Sequence, residues 1–173
     1  MDAHIINFHR ACALILSPKK VWLRHKLNKA IRLMEKPELS LKERIERDKV
    51  VEWLGRKGGW EGNSLLKSWA IRGEVRLRPD PDILGKAIAN GGEDNTHLHI
   101  VAHASVERGQ DFSSNYYFAR LLAAECRVLG EKRPFDPRKS LTHFICSGAE
   151  KMVRFMEETN AKLVKEFEKE RKK

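Results

Sequence analysis

The sequence predicts a mainly α fold, a compact bundle of about seven or eight helices with at most one short strand or hairpin near Val75. Three observations predict it. Apolar residues recur at the three-and-four spacing of a buried helical face, helix-starting and helix-stopping residues alternate from end to end, and strand-like alternation occurs only around Val75 and Leu77. The chain has 173 residues, of which 41% are hydrophobic and 34% charged. A chain of that length buries roughly 70% of its unfolded surface, enough for one core. No linker composition separates residues 78 and 80, so residues 1–173 read as one helical domain with a basic half, 1–78, and a near-neutral half, 79–173.

The elements follow in order. From about Asp2 to Leu16, Ile5, Phe8, Cys12 and Ile15 share one helical face. Ser17-Pro18 then supplies an N-cap and a proline at the first helical position, so a second helix runs to about Lys36, before Pro37. Ser40-Leu-Lys-Glu43 has capping-box spacing and opens a third helix, Leu41 to Leu54, which stops at Gly55, Gly58 and Gly59. Asn63 caps a fourth, Ser64 to Ile71, and Gly73 to Arg78 has strand spacing closed by Pro79. Asp80-Pro81 opens a short helix ending at Gly91-Gly92, and Thr96 caps another through Arg108. Ser113 or Ser114 begins a helix to Leu129, before Gly130. Asp136-Pro137 starts the last, with a stripe of Leu141, Ile145, Gly148, Met152, Phe155 or Met156, Thr159 and Leu163.

Composition narrows the function. The longest apolar run, Ala11 to Leu16, falls far short of the ~20 residues a bilayer span requires. The start Met-Asp-Ala-His carries an acid where a signal peptide needs basic residues, which points to the cytoplasm. Cys12, Cys126 and Cys146 are odd in number and widely spaced, an arrangement that argues against a disulfide framework and a cysteine-based zinc site. Net charge is +10, and it is unevenly placed: residues 1–78 hold 18 Lys and Arg against nine acids, residues 79–173 hold 16 against 15. The asymmetry points to a polyanionic partner met by the N-terminal half, either nucleic acid or an anionic membrane surface.

The second helix carries the sharpest signal. Leu23, Leu27, Ala30 and Met34 form its apolar arc, while Arg24, Lys26, Lys29, Arg32 and Lys36 spread over the opposite face with Trp22 and Leu33 among them. Cations on a rigid rod can track phosphates, and an indole among them can stack on an unpaired base. A solvated face usually mixes signs, whereas Glu35 is the only acid in this helix. The apolar arc is needed for the core, so the helix is not read as lying on lipid. A second basic group comprises Arg56, Lys57, Lys67, Arg72, Arg76 and Arg78, around Trp53, Trp60 and Trp69. Helix, turn, helix and an arginine-bearing strand are parts of a winged helix-turn-helix, with Arg76 and Arg78 on the wing. The second wing strand is missing, however, and the favoured account is a helical bundle with tryptophans in its core.

His97-Leu-His-Ile-Val-Ala-His103 resembles a metal motif in composition. On one helix His99 and His103 lie about 40° apart and can share an ion, whereas His97 points about 160° away from His99. No His-Glu-x-x-His places a general base beside it, so His99 and His103 stand as candidates only and the sequence predicts neither metal nor cofactor.

Arg138-Lys-Ser-Leu-Thr-His143 is similar to the arginine, four residues, histidine motif of the HEPN ribonucleases, which are all-helical and cut RNA without metal; the resemblance covers six residues and the helical class. It implies that Arg138 steadies the scissile phosphate and His143 moves a proton, with two copies of the motif meeting across a dimer. Lys139 departs from the smaller polar residue usual there.

The sequence thus favours a non-catalytic, sequence-independent nucleic-acid-binding protein that contacts the backbone of RNA or DNA, a small helical subunit of a larger nucleoprotein assembly. Small subunits of RNA-guided defence complexes have this general character. The alternatives are a metal-independent ribonuclease using Arg138 and His143, and a purely structural interaction subunit. No membrane partner is expected. The last helix, continuing toward Lys173, either outruns the body and leaves Leu163 and Phe167 for a second copy or another protein, or folds these two residues back onto the body.

Overall fold

A computed structural model describes residues 18–71, 77–91, 112–132 and 141–171. Among them it has six helices and no strand: α1 (Pro18–Glu35), α2 (Leu41–Lys57), α3 (Gly59–Ile71), α4 (Pro81–Gly91), α5 (Phe112–Lys132) and α6 (Leu141–Glu170). The helices expected at Asp2–Leu16 and Thr96–Arg108, and most of the expected strand, lie outside the described residues. Leu77 and Arg78, the described end of that segment, form a turn.

Local chemistry sets the helix ends. Ser40 accepts from the Glu43 amide while the Glu43 carboxylate accepts from the Ser40 amide at 2.9 Å, completing the capping box of α2. Asp80 Oδ1 accepts from the amides of Asp82 (2.9 Å) and Ile83 (3.2 Å), with Pro81 at the first helical position of α4. At the other end of α4, Lys132 Nζ donates to the Ala89 carbonyl at 2.8 Å. α3 differs from expectation. It begins at Gly59, whose φ of +57° lets the chain leave α2 in a left-handed step, so Asn63 is buried inside the helix and does not cap it. Its Nδ2 donates to the Ile88 carbonyl (3.3 Å) and ties α3 to α4.

α4 is the centre of the bundle, packed by α2, α3 and α5. Two glycines permit the close approach. A Cβ on Gly55 of α2 would lie 2.6 Å from the Ala87 backbone, and one on Gly85 of α4 would lie 2.4 Å from the Leu121 carbonyl oxygen of α5. Gly55 is thus a packing residue within α2, which continues to Lys57. Val51, Leu54, Leu66, Trp69, Leu84 and Leu121 are sealed around α4, and α6 packs on the far side of α5.

Cys126 of α5 and Cys146 of α6 are joined by a disulfide, with Cα atoms 5.5 Å apart. The cysteine spacing had argued against such a bond. Twenty residues of separation conceal it because α5 and α6 run antiparallel, which also brings Tyr116 of α5 to Glu157 of α6 (3.3 Å). No helix among the described residues is long and apolar enough to cross a membrane.

Candidate nucleic-acid interface

Helix α1 lies on α2 and, more lightly, on α3. Its buried residues are Ala30 and Leu33, flanked by half-buried Leu23, Leu27 and Met34. Leu33, expected among the cations, therefore belongs to the core, and the exposed residues of α1 form one continuous arc from Arg24 through Asn28 and Arg32 to Trp22. At about 100° per residue, Trp22, His25, Lys29 and Arg32 fall within an arc of about 80°, and Arg24 lies about 80° beyond Arg32 on the same exposed surface, while Lys36 follows the end of the helix. Arg24, Arg32 and Lys29 thus spread over about 140° of that surface, with half-buried Lys26 at its edge.

The acids of α2 divide them further. Lys29 pairs with Glu46 and Lys36 with Glu43. The Lys36 hydrogen bond, then those from the Ser40 amide and hydroxyl, hold the Glu43 carboxyl at about 2, and Lys29 likewise lowers that of Glu46. Both lysines are thus engaged with α2 in part-exposed pairs, Lys29 from α1 and Lys36 from just beyond its end. Arg24 and Arg32 are exposed and form no salt bridge among the described residues. Lys26 is half-buried, its Nζ 5.5 Å from the Trp22 ring centroid and 5.8 Å from that of Trp53, so one ammonium bridges an indole of α1 and an indole of α2.

Trp22 itself is 58% exposed. Beside it, His25, Asn28, Lys29 and Arg32 line a recess of about 270 Å³. His25 and Asn28 were not singled out in the sequence, although their i, i+3, i+4, i+7 spacing with Lys29 and Arg32 is the signal that would have found them.

The second basic group also divides. Arg56 joins Glu52, Lys86 and Asn90 around a recess of about 280 Å³ between α2 and α4, and Lys57 is exposed next to it in sequence. Lys67 is half-buried. Arg72 and Arg76 lie outside the described residues. Arg78, expected on a wing, is buried: its guanidinium carbon sits 5.3 Å and 5.0 Å from the Tyr117 and Phe118 ring centroids, and it donates to the Ile71 carbonyl at 3.4 Å. Nor do the tryptophans fill the core as a set. Only Trp69 is sealed, Trp53 is half-buried, and Trp22 and Trp60 face solvent, the latter at 83%.

No protein-family model matches the chain, and no curated protein or solved structure matches it. The remaining candidates stand on their geometry alone. His143 is half-buried in the first turn of α6, and Arg138 lies outside the described residues. His97, His99 and His103 also lie outside them, and among the described residues no group of three or more histidines, cysteines and acids could hold a metal ion.

Proposed function

We propose that this protein binds nucleic acid without catalysis and without reading sequence, as a small helical subunit of a nucleoprotein assembly such as an RNA-guided antiviral defence complex, in the cytoplasm. The observation that carries the reading is the exposed flank of α1, where Trp22 adjoins a recess walled by Arg32, on a chain whose positive charge is concentrated in residues 1–78. Arg24 of α1 and Arg56 and Lys57 at the end of α2 add exposed cations within the same basic half. Cations of this kind bind phosphates by releasing counterions, which confers affinity without base selection. The subunit part of the reading draws on α6, whose Phe144, Phe155 and Phe167 are all exposed.

The test is a salt titration of binding to labelled RNA and DNA by fluorescence anisotropy. Affinity falls steeply with salt, and the triple variant Arg32→Ala, Arg56→Ala, Lys57→Ala reduces the slope of log K against log salt by about two to three. Wild-type affinity in that variant removes the site assignment, and absence of any complex at low salt removes the function. Incubating the same RNA with chelator also tests the ribonuclease alternative, which requires cleavage that His143→Ala abolishes.

A further inference from the structure

We infer that the nucleic acid held at α1 is single-stranded, with one base stacked on Trp22 and a phosphate farther along the same strand seated in the recess beside it. The inference rests on the nucleic-acid reading and adds the form of the partner.

Three features of the site converge. Trp22 is more than half exposed, yet it is not a free-swinging side chain, because Lys26 lies against its ring while also lying against Trp53 of the neighbouring helix. A held, solvent-facing indole is a stacking platform. The recess begins where that platform ends: His25 meets Trp22 edge-on at 6.2 Å between centroids and is also one of its walls. The walls then supply donors of different kinds. Arg32 presents the planar fork that suits a phosphate, Asn28 contributes amide N–H groups and His25 a ring N–H. Lys29 shapes the wall while its charge goes to Glu46, so Arg32 is the recess's principal cation.

His25 lies within one helical turn of Trp22 and Arg32 ten residues along, about 15 Å at 1.5 Å per residue, a span that a few nucleotides of one strand can cover. A duplex cannot use both. Its bases are stacked inside the helix, and offering one to an indole requires unstacking it, which disfavours paired strands.

Anisotropy titrations with an oligothymidylate, a poly-A RNA of equal length, a duplex of equal length and an abasic single strand test this. The single strands bind more tightly than the duplex. Trp22→Ala weakens single-strand binding about tenfold or more, Trp22→Phe retains part of it, and the abasic strand is insensitive to both substitutions. Arg32→Ala weakens all four ligands. Trp22 is on the surface, so its variants keep the wild-type far-UV circular dichroism. If Trp22→Ala leaves single-strand affinity unchanged, or lowers duplex affinity equally, the stacking inference is wrong while nucleic-acid binding stands. If none of the four ligands binds at low salt, the function itself fails and the inference goes with it.

Discussion

Arg78 shows how one residue's environment decides its role. Its spacing with Arg76 and Val75 reads as a strand presenting cations, but the side chain turns inward and lies against Tyr117 and Phe118. Tyr117 is fixed in turn by donating to the Pro79 carbonyl at 3.0 Å, and burial pushes its phenol above the ordinary range. Arg78 therefore belongs to the core, and Arg78→Ala should cost about 2–3 kcal/mol by urea denaturation, from the lost stacking and the packing of its stem, without altering the salt dependence of nucleic-acid binding. Glu43 makes a second prediction at this scale. Its folded value of about 2 is below the ordinary 4.5, so the stability it contributes is complete above 4.5 and is lost as pH falls toward 2. Glu43→Gln should flatten the change in denaturation midpoint between about pH 5 and 2. What the sequence disclosed about residues follows from these cases. The Ser40–Glu43 box and the Asp80-Pro81 start were legible because they are local, three residues or fewer across. The partners of Arg78, Lys29 and Lys36 come from other helices, and no local pattern could announce them.

Among the elements, α6 departs most from a helix folded wholly onto the body. Its 30 residues extend about 45 Å. Cys146, Ala149 and Met156 are buried, whereas residues 160–171 are exposed throughout. The expected stripe was only partly right. Where Phe155 and Met156 were alternatives, Met156 is the buried one; Met152, expected in line with it, is half exposed, and Phe155 faces water. The reason is geometric: α5 covers one flank of α6 and ends its coverage near Met156, a boundary set by tertiary packing and invisible to periodicity. Leu163 and Phe167 are exposed, one of the two outcomes the sequence left open, because helix length against domain size allows projection but does not set the angle of the distal helix. Truncation after Thr159 removes only exposed residues from the described part of the chain. The monomer should keep its helical signature and melt within about 2 °C of the full chain, while any self-association or incorporation into a larger complex is lost. A truncated chain that unfolds would show that the distal helix supports the body after all.

On the scale of the whole molecule, the fold depends on how three helices hold α4 and how α6 is held to α5. The first junction is close backbone packing at Gly55 and Gly85. The second relies on the Cys126–Cys146 bond as well as on side chains, since much of α6 is exposed. Joining residues 20 apart removes unfolded-chain entropy worth about 3 kcal/mol. For a chain of this size that corresponds to about 6–12 °C in melting temperature, so reduction, or Cys126→Ser with Cys146→Ser, should lower the midpoint by that amount. Because glutathione reduces most cytosolic disulfides, in the proposed cytoplasmic setting α6 is held to α5 by side-chain packing and the bond adds its stability only on oxidation. Thiol titration checks the premise directly. In denaturant without reductant one cysteine, Cys12, should react, and all three should react after reduction; three reactive thiols in the unreduced, air-oxidised protein would show that α5 and α6 are held by packing alone.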